Sequence, residues 1–307
     1  MEVTNNTAVH YFLLLAFSEL HEFQVLLFII FFIVYIICIV GNVAIIVIIK
    51  TDPYLHNPMY FFISIFATSE ILFVFSIAPN LLSNLMGYMK SISFTGCFAQ
   101  LCALGTLGLT ECCLLAVMAF DRDLAINYPL RYSSIMRDEF CILLGVLPWF
   151  ICLTIDLLIT ILFAGLEFCG SLELNHFMCD WGVLQLLPCI VPLDLQCIVI
   201  ITNFSGIVLP FVTIVLLYIH IITTIVKMKS ETGKRKAFST CSSHLIVASL
   251  FFGTAIIVYF TPEISNLKKY LALMYTFVTP LLNPFIYTLK NKDVITAFKK
   301  WKLKAKF

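Results

Sequence analysis

The chain has 307 residues, 61% of them hydrophobic and 12% charged, with a formal net charge of +1 at pH 7. Those proportions exclude an ordinary water-soluble globular domain, and so small a charge gives nucleic acid no electrostatic footing. Seven apolar runs hold the excess, at residues 23–49, 59–85, 98–126, 140–163, 195–226, 237–260 and 270–289. Each reaches the roughly 20 residues that cross a hydrocarbon core as a helix. Backbone polar groups in lipid must bond to one another, so these runs are expected to be helices. The expected fold class is an all-α membrane protein. Residues 1–22 form an N-terminal segment, 23–289 a seven-transmembrane helix bundle, and 290–307 a tail with a short amphipathic helix.

Ahead of the first run, residues 1–20 lack the basic region of a cleavable signal, so span one is expected to serve as the signal anchor. Asn5-Asn6-Thr7 is a glycosylation sequon at Asn5. With the N terminus outside, sixteen of the nineteen Lys and Arg residues fall on the inner side. Only Lys90, Lys268 and Lys269 fall outside, which sets a multi-pass orientation with the tail in the cytoplasm. The loop after span four, residues 165–193, is the one long connection and is expected to be functional. Four of the twelve cysteines, Cys97, Cys169, Cys179 and Cys189, lie at outer helix ends or in that loop. An even set facing an oxidising compartment implies two disulfides, with three connectivities open. The tail alternates lysines with Val294, Ile295, Phe298, Trp301 and Leu303, the pattern of a helix held on anionic membrane lipid.

Polar residues inside the spans are costly and call for a reason. Glu70 and Glu111 lie near the middle of spans two and three, with Asn42 and Asn283 in spans one and seven. Two carboxylates sharing a dry site require either a proton or a cation such as Na+ between them. A hydrogen-bonded network without an ion is the alternative, and no other cofactor is expected. Asp156 follows Trp149 by about two turns, or roughly 10 Å, at the depth of an outward-opening pocket. Pro79, Pro148, Pro210, Pro280 and Pro284 fall within spans and are expected to kink them.

Particular strings then narrow the reading. Span three ends in Met118-Ala119-Phe120-Asp121-Arg122-Asp123, with Pro129-Leu130 beyond it. Span six opens with Lys236-Ala237-Phe238-Ser239-Thr240-Cys241-Ser242-Ser243-His244. Span seven closes with Pro280-Leu281-Leu282-Asn283-Pro284-Phe285-Ile286-Tyr287, and Pro58-Met59-Tyr60 joins spans one and two. Together these strings resemble the olfactory (odorant) receptors, within the rhodopsin-like class of G-protein-coupled receptors, over essentially the whole chain.

The resemblance implies a non-enzymatic receptor at the plasma membrane, with a small volatile odorant and a heterotrimeric stimulatory G protein as partners. It pairs Cys97 with Cys179 and Cys169 with Cys189. Arg122 would be held by Asp121 in the inactive state, with Tyr218, the Lys236–His244 stretch, Asn283, Pro284 and Tyr287 forming the activation switch. Asp123 departs from the usual Asp-Arg-Tyr, and a second carboxylate there is expected to compete for Arg122. The resemblance also places a ligand cavity between spans three, five, six and seven. Helical spacing selects Leu104, Gly105 and Gly108 on span three, and Thr202, Asn203 and Gly206 on span five. It selects Ala255, Ile256 and Tyr259 on span six, and Leu273 with Thr276 on span seven, beside Asp156 on span four. Competing readings are a non-olfactory receptor of the same class and a transporter or ion channel. Missing inverted repeats and an odd span count weigh against the latter.

Overall fold

A computed structural model describes residues 9–88, 90–169, 171–260, 266–290 and 292–304; the Asn5 sequon lies outside them. Six helices in it are long and apolar enough to cross a membrane. Span one is Gln24–Thr51, span two Pro58–Leu85, span three Phe94–Asn127 and span four Asp138–Ala164. Span five runs over Leu193–Lys227 and span six is the helix Glu231–Phe260. Span seven is the helical stretch 266–290, which completes a seven-helix bundle. Helices outrun the apolar stretches where they leave the hydrocarbon depth: span six begins six residues before its first apolar residue.

Local chemistry sets these ends. Asn57 accepts a hydrogen bond from the Tyr60 N–H, and Pro58 fills the first helical position of span two. Ser93 caps span three through the Gly96 N–H at 3.1 Å. In spans five and seven the prolines act through the turn before them. Pro210 follows a π-helical turn at Phe204–Val208, and Pro280 follows another at Met274–Val278. A proline has no N–H to offer the carbonyl four residues back, and a wider turn reassigns those bonds.

Span three is the axis of the bundle, packing on spans two, four, five and six. In its most apolar stretch 61% of residues are buried, against 11% in span one, where Ile29, Ile30, Phe32, Ile33, Ile36 and Ile37 stay on the outer surface. Span one touches spans two and seven, and span seven closes the ring against span six.

The two ends of the bundle differ. At one, the N-terminal segment supplies β1 (Tyr11–Leu14), the middle strand of a small sheet. It pairs antiparallel with β2 (Ser91–Ser93) and parallel with β3 (Glu173–Leu174) in the long loop. Two disulfides, Cys97–Cys179 and Cys169–Cys189, lie at this end. Lys269 of span seven, 2% exposed, donates to Ala16 O at 2.8 Å, Asn175 Oδ1 at 2.9 Å and Glu19 Oε1 at 2.5 Å. One ammonium thus ties the N-terminal segment, the loop and a span together. At the other end the helix Lys292–Lys304 packs Val294 and Ala297 inward, while Lys300 sits 4.7 Å from the centre of the Tyr54 ring.

His176 in the loop is buried and stacks on Phe177. Burial pushes its pKa down to about 4, with Lys269 and Lys268 adding to the effect and Asp180 opposing it. Between that value and the ordinary 6.5, the unfolded chain binds the proton and the folded chain does not. Stability therefore falls as pH drops through that window, by up to about 1.4 kcal/mol per pH unit. The melting midpoint of the purified protein should decline between neutral pH and about pH 5. His176→Phe should flatten that decline, and an unaltered slope would assign it to other groups.

Candidate functional site

A cavity of about 380 Å³ opens between the spans below the disulfide-bonded loop. That lies within the range of small-molecule sites. Leu101, Leu104, Gly105, Gly108 and Leu109 of span three form one wall, with Asp156, Ile159 and Thr160 of span four beside it. Val199, Thr202, Asn203 and Ile207 of span five, and Phe251, Ala255 and Val258 of span six, face them. Met178, Asp180, Trp181, Gly182 and Gln185 roof the space, and Lys268 and Tyr275 enter from span seven. Glu111 and Cys112 lie deepest along span three.

Two glycines shape the wall on span three. A methyl group at Gly105 would stand 2.8 Å from Asp156 Oδ1, so the missing side chain is the slot that admits this carboxylate. At Gly108 a methyl group would meet nothing within 4 Å, so that glycine widens the cavity. Asp156 Oδ2 and Thr106 Oγ1 are buried, the Thr106 hydroxyl being the neighbouring side-chain donor of the carboxylate.

Beneath the cavity lies a polar core. Ser69 Oγ donates to Glu111 Oε1 at 2.9 Å, and Asn283 Nδ2 donates to Glu70 Oε1. Glu70 Oε2 and Asn283 Oδ1 are buried with no partner among the described residues. These orphaned oxygens suit a small hard cation, which takes carboxylate and carbonyl ligands. The amide N–H of Asn42 donates to Cys38 O of its own helix at 3.0 Å.

Further along span three, Arg122 forms an ion pair with the fully buried Asp121, which also accepts from Tyr132 Oη at 2.6 Å. Asp123 turns the other way. It accepts from Asn127 Nδ2 at 2.6 Å and faces His220 Nδ1 of span five at 2.8 Å. The expected competition for Arg122 is absent, because the Asp123 carboxylate is taken up by Asn127 and His220 while Arg122 pairs with Asp121. Tyr218 Oη meets His244 Nδ1 at 2.6 Å, joining spans five and six. Arg122, His244 and Tyr287 line a void of about 20 Å³, room for a single water. Pro284 packs close against Gly41 of span one. The side chain of Lys236 lies outside the described residues.

Comparison with known proteins decides the lineage. Residues 31–304 match the family model for olfactory receptors. The chain belongs to the olfactory receptor family. It is 40% identical over 303 residues to human olfactory receptor 11L1, covering 98% of this chain and 94% of that protein. It is 42% identical over 303 residues to mouse olfactory receptor 1M1, covering 98% and 97%, and 41% identical over 304 residues to gorilla olfactory receptor 1G1, covering 98% and 97%. The family comprises receptors rather than enzymes, and this olfactory receptor is a multi-pass membrane protein.

Of the cavity residues read from spacing in this olfactory receptor, Leu104, Gly105, Gly108, Asp156, Thr202, Asn203 and Ala255 line one space. Four do not. Gly206 lies in the π turn and packs on span three, where an added methyl group would meet Leu109 Cδ2 at 2.5 Å. Ile256, 40% exposed, faces outward. Thr276 is fully buried and bonds Ala272 O at 2.8 Å, while Leu273 packs on the core shared with span one. A π turn shifts every later residue around the helix by about 100°, so a regular 3.6-residue stripe misplaces Gly206 and Thr276. The side chain of Tyr259 lies outside the described residues.

Spacing also missed the roof. Cys179 is tied to Cys97 at the first turn of span three, with Cα atoms 5.4 Å apart, which holds its neighbours Met178 and Asp180 over the cavity. The position of Cys179 next to Asp180-Trp181 was the available signal.

Proposed function

We propose that this olfactory receptor binds small, mostly apolar odorants in the 380 Å³ cavity and activates a heterotrimeric stimulatory G protein at the plasma membrane. The disulfide end, with the N terminus, faces outward and the basic end faces the cytoplasm. The supporting observation is that span three carries both parts. Its residues 101–112 wall the cavity, and Arg122 is held by Asp121 about 15 Å further along. A ligand that fits better when span six moves away from Tyr218 and Arg122 shifts the balance towards the coupling state. An odorant of about 12 heavy atoms, at about 0.5 kcal/mol each, gains roughly 6 kcal/mol, a Kd in the tens of micromolar. Broad, weak recognition follows. Na+ held by Glu70, Glu111 and Asn283 would brace the closed arrangement, since the orphaned oxygens of Glu70 and Asn283 then gain a partner.

The test is a volatile panel applied to cells expressing the chain, read as cyclic AMP. At least one volatile should raise the signal. Gly108→Leu, which fills open space without a clash, should weaken that response by about tenfold or more at unchanged surface level. Silence across the panel from a surface-delivered receptor would refute the reading. An N-terminal epitope labelled only after permeabilisation would refute the orientation.

A further inference from the structure

We infer that the cavity selects small aliphatic primary amines, bound as ammonium ions with nitrogen on Asp156; this rests on the cavity being the ligand pocket. The carboxylate is a built feature of the wall. Gly105 is hollowed where Asp156 Oδ1 sits, and a side chain at 105 would expel it. Asp156 Oδ2 is buried with the Thr106 hydroxyl as its neighbouring side-chain donor, so the carboxylate keeps acceptor capacity for a donor brought by a ligand. A buried carboxylate with one hydroxyl neighbour beside an apolar cavity is under-satisfied, and a ligand bringing N–H donors lowers that cost. A primary ammonium carries three donors and no acceptor. Nearer the roof the lining's charges favour the same sign, with Asp156 and Asp180 against the ammonium of Lys268. Lys268 enters from span seven, on another element from Asp156. In the same lining, Leu104, Ile159 and Val199 offer apolar surface for an alkyl chain. A carboxylic acid of the same length would set its anion against Asp156.

The experiment compares hexylamine, hexanol and hexanoic acid, within a wider volatile panel, on cells expressing the full chain, with cyclic AMP and surface labelling both read. Hexylamine should act at tenfold or more lower concentration than hexanol, with hexanoic acid silent. Asp156→Asn should raise the half-maximal amine concentration at least tenfold relative to any hexanol response in the same cells. If Asp156→Asn does not reach the surface, Gly105→Ala, which displaces the carboxylate, should produce the same selective loss. An amine response unmoved by whichever variant reaches the surface, or hexanoic acid as the best agonist, would overturn the assignment. Amines silent while other volatiles raise cyclic AMP would overturn it and leave the receptor reading intact. A surface-delivered chain silent to every volatile would overturn both.

Discussion

Serine at position 97 should leave the receptor inside the cell, lowering surface label by tenfold or more. Cys97 and Cys179 are both fully buried, and their bond closes a stretch of 82 residues. A loop of that length removes about 4–5 kcal/mol of unfolded-state freedom, a large part of a domain's net stability. The bond also anchors the strand partners of the N-terminal segment. The Cys179 N–H donates to Gln100 Oε1 at 2.8 Å, and Glu173–Leu174 a few residues earlier pairs with Tyr11–Leu14. Losing the bond frees the loop, the sheet and the roof of the cavity together. Cys169→Ser should do less. Its bond to Cys189 closes 20 residues between exposed positions, about 1 kcal/mol less entropy by length alone. Surface labelling of both variants checks the order, and normal delivery of Cys97→Ser would contradict it.

Asp121→Asn should raise cyclic AMP in the absence of odorant. Asp121 is fully buried and is the acceptor for both Arg122 and Tyr132 Oη. Amide substitution keeps the shape but removes the charge. Charge-assisted bonds of this kind are worth about 1.5–3 kcal/mol, so the closed-to-open ratio should fall roughly 10- to 100-fold. Tyr132→Phe removes one bond of about 1 kcal/mol and should raise basal output about fivefold. Asp123→Asn is the control, because Asp123 engages Asn127 and His220 instead of Arg122. Equal basal activity from Asp123→Asn and Asp121→Asn would place the lock elsewhere.

Local rules reached far in this chain because lipid imposes them. A backbone without water must be helical, so seven apolar runs and the Lys/Arg pattern yield the bundle and an expected orientation. Asn57 with Pro58 and Ser93 with Gly96 mark helix starts through caps made within four residues. Polar cost singled out Asn42, Glu70, Glu111, Asp156 and Asn283, and the last four lie in the cavity wall or the core beneath it. Regular periodicity failed where a proline downstream converts the α-helical ladder into a π turn. Gly206 and Thr276 left the predicted stripe for that reason.

Hydrophobicity and the price of buried polar groups act residue by residue, so the run of side chains alone determined the seven crossings, the polar core and the span-three arm of the cavity. Contacts between distant segments carry no such local signature. The direction of Asp123, the pairing of Lys269 with Glu19 and Asn175, the strand Tyr11–Leu14 and the loop roof all depend on the packed bundle. Each joins residues from about 80 to 250 positions apart, and only the folded chain brings such groups within hydrogen-bond reach.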